Sequence, residues 1–241
     1  MPSYFDQHQE IYREYIDSIN NISYDFVVSI YLRGSAGRNL EIKNYKPWDI
    51  DMVLLFKKKP NGYNLSLLEN ITQSFNEKIV KNNHPHIDKH IISTHYSVID
   101  KFVLYNVQMN GMLISGEHSS LLEKPINLSA SEVYFIYQYY LNLVVKKSEY
   151  LFRLDLKMVS CDFLVAKVNN LIKLISRCGC LLIFFYDGVF TRELTEGLKA
   201  LSAYTSDESF LIIGDFINGQ GILDIEAFKY VVTKLVNYIV V

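Results

Sequence analysis

The run Asp49-Ile50-Asp51-Met52-Val53-Leu54-Leu55-Phe56 constrains this chain more than any other part of it. From Met52 to Phe56 no polar residue interrupts the apolar series, the pattern expected of a strand covered on both faces. Side chains alternate across a strand, so Asp49 and Asp51 share one face while Ile50 turns to the core. Two carboxylates held side by side at a strand entry repel each other unless positive charge sits between them. Mg²⁺ suits such a pair, because it takes hard oxygen ligands and is usually held by one or two carboxylates together with substrate phosphates.

A second signal lies upstream. Phe26 to Leu32 (FVVSIYL) is rich in β-branched and aromatic residues and reads as a buried strand, which Gly34-Ser35 then breaks. Gly34 permits a tight turn and close approach of the backbone to a phosphate, and Ser35 adds a hydroxyl and an N–H. Arg38 offers a planar fork for phosphate oxygens. An ordinary turn and a surface charge are the plain alternatives, and the two aspartates downstream weigh against them. Trp48 either stacks on a base or packs the entry of the second strand.

The remaining elements follow from periodicity and punctuation. Tyr4 to Asn20 places Ile11, Tyr15 and Ile19 on one helical face. Lys57 to Gly62 (KKKPNG) is a turn whose lysines belong to a solvated strand end. Ser66-Leu-Leu-Glu69 has the form of a capping box for a helix to about Val80, closed by Asn82-Asn-His-Pro85. Ile87 to Thr94 reads as a third strand, and Val103 to Ser115 as a further strand or hairpin at the sheet edge. After Pro125 the character becomes helical: Ser129-Ala-Ser-Glu132 is another capping box, opening a helix through Val145 or beyond. Leu164, Val168, Leu171 and Ile175 mark a second helix, with Gly179 as its stop. A shorter helix spans 192–203, a turn spans 205–208, and a last helix begins near Asp224. The expectation is an α+β chain: a small mixed sheet with flanking helices over residues 1–125, then a helical domain over 126–241.

Composition excludes several classes. With 49% hydrophobic and 21% charged residues, the chain has a globular balance rather than a disordered one. A net charge of −2 gives no overall footprint for a large nucleic acid. Cys161, Cys178 and Cys180 are too few for a disulfide framework, and Cys178-Gly-Cys180 lacks the second ligand pair of a zinc site. His84 and His86 flank Pro85 without an acidic or cysteine partner in register. The N-terminus has no signal-peptide core, and the apolar stretches around 133–145 and 181–186 are interrupted or short for a bilayer, so a cytoplasmic protein with no membrane partner is expected.

The pattern Gly34-Ser35 followed by Asp49-Ile50-Asp51 resembles the signature of the DNA polymerase β-like nucleotidyltransferase superfamily. The resemblance covers about residues 25 to 116, and a compact catalytic unit followed by a helical half is similar to the aminoglycoside nucleotidyltransferases and their small relatives. It implies that Gly34, Ser35 and Arg38 hold the triphosphate of an NTP, ATP foremost. It implies that Asp49, Asp51 and a third carboxylate hold two Mg²⁺ ions. Asp88, opening the third strand after the intervening helix, stands where the family places that residue; Asp100 and Glu117 are the alternatives. In antibiotic-modifying members the third carboxylate also acts as base toward the acceptor hydroxyl, a role that falls to Asp88 if it lies within hydrogen-bond reach. His90 shares the face of Asp88.

The expected activity is therefore transfer of a nucleoside monophosphate to a hydroxyl of a small molecule such as an aminoglycoside. The helical half selects the acceptor, and Glu132, Glu149, Asp155 and Asp162 are available to face a cationic one. Two other readings fit the same motif: a toxin-antitoxin-type nucleotidyltransferase acting on tRNA or a protein, and a degenerate member that binds nucleotide or a partner without turnover. The motif leaves oligomeric state open.

Overall fold

The computed structural model describes residues 3–23, 27–34, 49–153, 161–217 and 225–239, and the chain divides into two compact units, Met1–Asn127 and Leu128–Val241. In the first unit the apolar run becomes strand β2 (Asp49–Phe56), in which every residue except Asp49 and Asp51 is buried. It pairs antiparallel with β1 (Val27–Arg33) and parallel with β3 (His86–Ile92). A short fourth strand, β4 (Met112–Gly116), runs antiparallel along the other side of β1, giving the mixed order β3-β2-β1-β4.

Both faces of this sheet are covered, as the lack of alternation in Met52–Phe56 requires. One face carries Ile30, Leu32, Ile50, Met52, Leu54 and Phe56 against helices α1 (Tyr4–Gln7), α2 (Gln9–Ser23) and α3 (Gly62–Lys81). The expected first helix is present, with a break at His8. Its inward tyrosines are satisfied: the Tyr12 hydroxyl donates to the Pro85 carbonyl at 3.1 Å, and the Tyr15 hydroxyl meets Thr72 Oγ1 at 3.0 Å. The opposite face carries Tyr31, Val53, Leu55 and Ile92 against Val103, Leu104 and Val107 of helix α4 (Val98–Asn110), with Leu122 closing the cluster.

Two element assignments are corrected in this unit. Helix α3 starts at Gly62 rather than Ser66, because Asn61 caps it by accepting the Asn64 N–H at 2.8 Å. Ser66 and Glu69 lie inside the helix, and Glu69 reaches Lys89 on β3 instead, at 2.6 Å. The expected strand from Val103 is a helix up to Asn110; only Met112–Gly116 is strand. A capping box at Ser97-Val-Ile-Asp100 starts that helix: Asp100 accepts from the Ser97 N–H at 2.9 Å, and Ser97 Oγ accepts from the Asp100 N–H at 3.1 Å. Once it is in place, the β-branched residues Val103 and Val107 serve as its inward stripe.

The second unit is helical: α5 (Ala130–Arg153), α6 (Cys161–Asp187), α7 (Leu194–Thr205), α8 (Ser209–Ile217) and α9 (Ile225–Ile239). Ser129 and Glu132 form the expected box, with the Ser129 N–H donating to Glu132 Oε2 at 2.8 Å. Gly179 does not end α6, which continues to Asp187. A Cβ on Gly179 would lie 1.8 Å from the Gly197 carbonyl oxygen, and one on Gly197 would lie 2.1 Å from that of Ser176. The glycines therefore let α6 and α7 pack backbone against backbone. Cys178 and Cys180 flank this contact as buried free thiols, and burial pushes both pKa values up. Helix α8 has no counterpart in the sequence reading. Residues Lys167–Asp187 are long and apolar enough to cross a membrane by length and composition, a stretch longer than the 181–186 run considered above. Half of that window is buried within the unit, where α6 packs between α5 and α7.

Candidate active site

The strand register assembles the site. Arg33, the last residue of β1, pairs with Asp51, so Gly34 lies just beyond the point where β2 carries its second carboxylate. Gly34 is buried and has φ +77°, a backbone conformation glycine adopts without strain. A Cβ there would lie 2.2 Å from Asp51 Oδ2, so the space left by the missing side chain is taken up by this carboxylate. Asp49 and Asp51 are both half-buried on the same face of β2. Ser35, Arg38 and Trp48 lie outside the described residues.

Arg33 is the site residue that sequence reasoning missed. Its guanidinium Nη2 sits 3.5 Å from Asp51 Oδ1, with both side chains about one-fifth exposed. Its Nε is buried without a hydrogen-bond partner among the described residues. The signal existed in principle: antiparallel pairing of the two strands sets Arg33 opposite Asp51, but only once the register is known.

Asp88 pairs with Asp51 in the parallel β2–β3 register, placing their Cα atoms about 4.8 Å apart on the same face. It is exposed on an edge strand and also borders a groove of about 530 Å³ lined by Glu69, Thr72, Gln73, Asn76 and Glu77 of α3. His90 is engaged elsewhere, with Nε2 2.7 Å from Asp100 Oδ1. Asp100 is thereby occupied by His90 and by the cap of α4. Burial pushes its pKa up, but the hydrogen bonds from Ser97 and His90 outweigh this and leave it below the ordinary carboxylate range. Glu117 is exposed just past the end of β4. Asp88 is thus the alternative whose register sets it beside Asp51.

The donor set matches Mg²⁺ in kind. Asp49 and Asp51 provide hard oxygens on one face, the two-carboxylate complement that leaves room for water and phosphate ligands. Among the described residues, no group of three His, Cys, Asp or Glu side chains is gathered tightly enough to hold a metal ion by itself. Among the described residues, the Arg33 guanidinium is one positive charge next to Asp51.

No family model matches the sequence, and no curated protein matches it. Among solved structures, the chain is similar to spectinomycin adenyltransferase AAD(9) from Enterococcus faecialis, determined with ATP and spectinomycin. The TM-score is 0.62 at 13% identity, covering 95% of this chain and 98% of that one. The two chains share a fold. The likeness extends over nearly the whole of both chains, so the sheet unit and the helical unit alike have counterparts in that adenyltransferase structure. Within it, Gly34, Asp49, Asp51 and Asp88 fall around the open end of β1 and the entries of β2 and β3.

Proposed function

We propose that this protein is a Mg²⁺-dependent nucleotidyltransferase, moving a nucleoside monophosphate from an NTP, with ATP the leading candidate, to a hydroxyl of a small-molecule acceptor such as an aminoglycoside. One observation carries the reading: Asp49 and Asp51 share a face beside the glycine turn at Gly34, in the fold of an enzyme solved with ATP and spectinomycin. In this reading residues 1–125 form the catalytic domain and residues 126–241 the acceptor-binding domain.

The roles follow from the side chains. Gly34, Ser35 and Arg38 grip the triphosphate, Asp49 and Asp51 hold the metal, and Asp88 is the third carboxylate. Bound Mg²⁺ supplies neutralisation of charge on the phosphates and orientation for in-line attack. Asp88 accepts the proton of the acceptor hydroxyl as its oxygen attacks the α-phosphorus, and pyrophosphate leaves. Positioning and electrostatics carry such a reaction, with no covalent enzyme intermediate.

The test is transfer of label from α-³²P NTPs, with and without Mg²⁺, to aminoglycosides including spectinomycin, to bulk tRNA and to cell lysate. Label on a small molecule, lost in Asp49→Ala, is the expected result. Label on tRNA or on a protein would transfer the reading to a toxin-antitoxin-type enzyme. Absence of label from every acceptor, with nucleotide binding unchanged in Asp49→Ala, would overturn catalysis.

A further inference from the structure

The helical unit, given above to the acceptor, holds a cavity of about 510 Å³ lined by none of the residues assigned a role in transfer, within the size range of small-molecule sites. Five aromatic side chains line it: Tyr134 and Tyr137 of α5, Phe185 and Tyr186 of α6, and Tyr204 of α7. Tyr186 and Tyr204 stack with ring centroids 5.0 Å apart, and Tyr134 leans on Phe185 at 6.3 Å, so the wall is already formed. Tyr134, Phe185, Tyr186 and Tyr204 are all exposed, Tyr186 at 63%.

No formal positive charge among the described residues lines this cavity, although Tyr134 and Tyr137 come from the first turns of α5, whose N-terminus carries positive partial charge. Among the described residues lining it there is no Lys or Arg, which disfavours phosphate or carboxylate ligands. Leu182, Phe185 and Tyr186 lie in the last turns of α6, and Tyr204 and Thr205 end α7, so two helix C-termini meet here, each with negative partial charge. Asp187 follows Tyr186 directly. The nearest lysine along the chain, Lys234 beside Leu235, is directed at the Tyr230 ring and at Asp207.

We propose that this cavity is an aromatic cage for a bulky alkylated ammonium ion. Aromatic faces attract cations through their quadrupole, most strongly when the cation sheds its water readily. No carboxylate lies among the described lining residues, so a primary ammonium would give up hydrogen bonds to water that the wall does not replace. An N-alkylated cation has few such bonds to lose.

Binding requires no turnover, so the test is independent of nucleotide transfer. The full chain is titrated by NMR with choline, with its uncharged isostere 3,3-dimethylbutan-1-ol, and with ethanolamine. Choline is expected to show an upfield N-methyl shift from the rings and to bind roughly threefold to thirtyfold more tightly than either comparison compound. Tyr186→Phe and Tyr204→Phe should retain the preference, whereas Tyr186→Leu and Tyr204→Leu, with unchanged melting temperature, should remove it. Equal binding of the neutral isostere, equal binding of ethanolamine, insensitivity to both leucine substitutions, or no binding of choline would each overturn the proposal.

Discussion

Gly34 and Asp51 share one small space, and that fact sets the sharpest residue-scale expectation. Alanine at position 34 would need a positive φ and would set its Cβ 2.2 Å from the Asp51 carboxylate. The backbone cost alone is about 1–3 kcal/mol, and the carboxylate must swing away from its present place. Gly34→Ala should therefore lose labelled transfer more completely than it loses stability, measured by turnover and by denaturant unfolding of the same preparation. Asp100 gives a prediction in pH. Its pKa is held below the ordinary value, so its stabilising contribution is present above that ordinary value and is lost as pH falls through the lowered one. Asp100→Ala should destabilise the protein by roughly 0.5–1.5 kcal/mol at neutral pH, the net worth of a hydrogen bond, because it removes the acceptor of the Ser97 N–H. The gap between variant and wild type should narrow as the pH falls below the ordinary carboxylate range in chemical denaturation, and a gap that widened there would contradict the assignment.

At the scale of elements, legibility in the sequence followed how local the cause was. Asp49–Phe56 was readable to its end residues because burial on both faces leaves an unbroken apolar run. The box at Ser129 was readable because cap and reciprocal acceptor lie three residues apart. The start of α3 was misread because Ser66 and Glu69 mimic a box, while the true cap, Asn61, lacks the reciprocal acid. Helix α4 was misread because its inward valines also suit a strand, and the deciding Ser97–Asp100 pair uses Asp where Glu is the commoner signal. Gly179 resembles a helix stop in the sequence because its reason is tertiary: the Gly197 backbone of another helix occupies the place of its side chain. The same contact predicts that Gly179→Ala will cost about 1–3 kcal/mol or more through overpacking. That loss should appear as a lowered denaturation midpoint with weaker hydrogen-exchange protection in α6 and α7. Ala substituted at Gly62, where nothing lies within 4 Å, should leave the midpoint unchanged or raise it.

Across the whole molecule, the likeness in fold extends over 95% of the chain at 13% identity, so the architecture persists where nearly all side chains differ. Function must therefore be argued from the site rather than from the fold. The decisive contrast lies between the central pair and the edge residue. Asp49 and Asp51 belong to a buried strand, whereas Asp88 is exposed on the edge strand and pairs with Asp51 only through the sheet register. If Asp49 and Asp51 hold the metal and Asp88 takes the acceptor proton, their substitutions must fail differently. Asp49→Asn and Asp51→Asn should lose Mg²⁺-dependent nucleotide binding together with turnover. Asp88→Asn should keep nucleotide binding while turnover falls by roughly 10²–10⁴-fold, the usual share of general base catalysis. Calorimetric titration with a non-hydrolysable NTP, with and without Mg²⁺, separates the two outcomes. Loss of Mg²⁺-dependent binding in Asp88→Asn would make Asp88 a metal ligand first, and unchanged turnover would remove it from the site and return the base to an unassigned group.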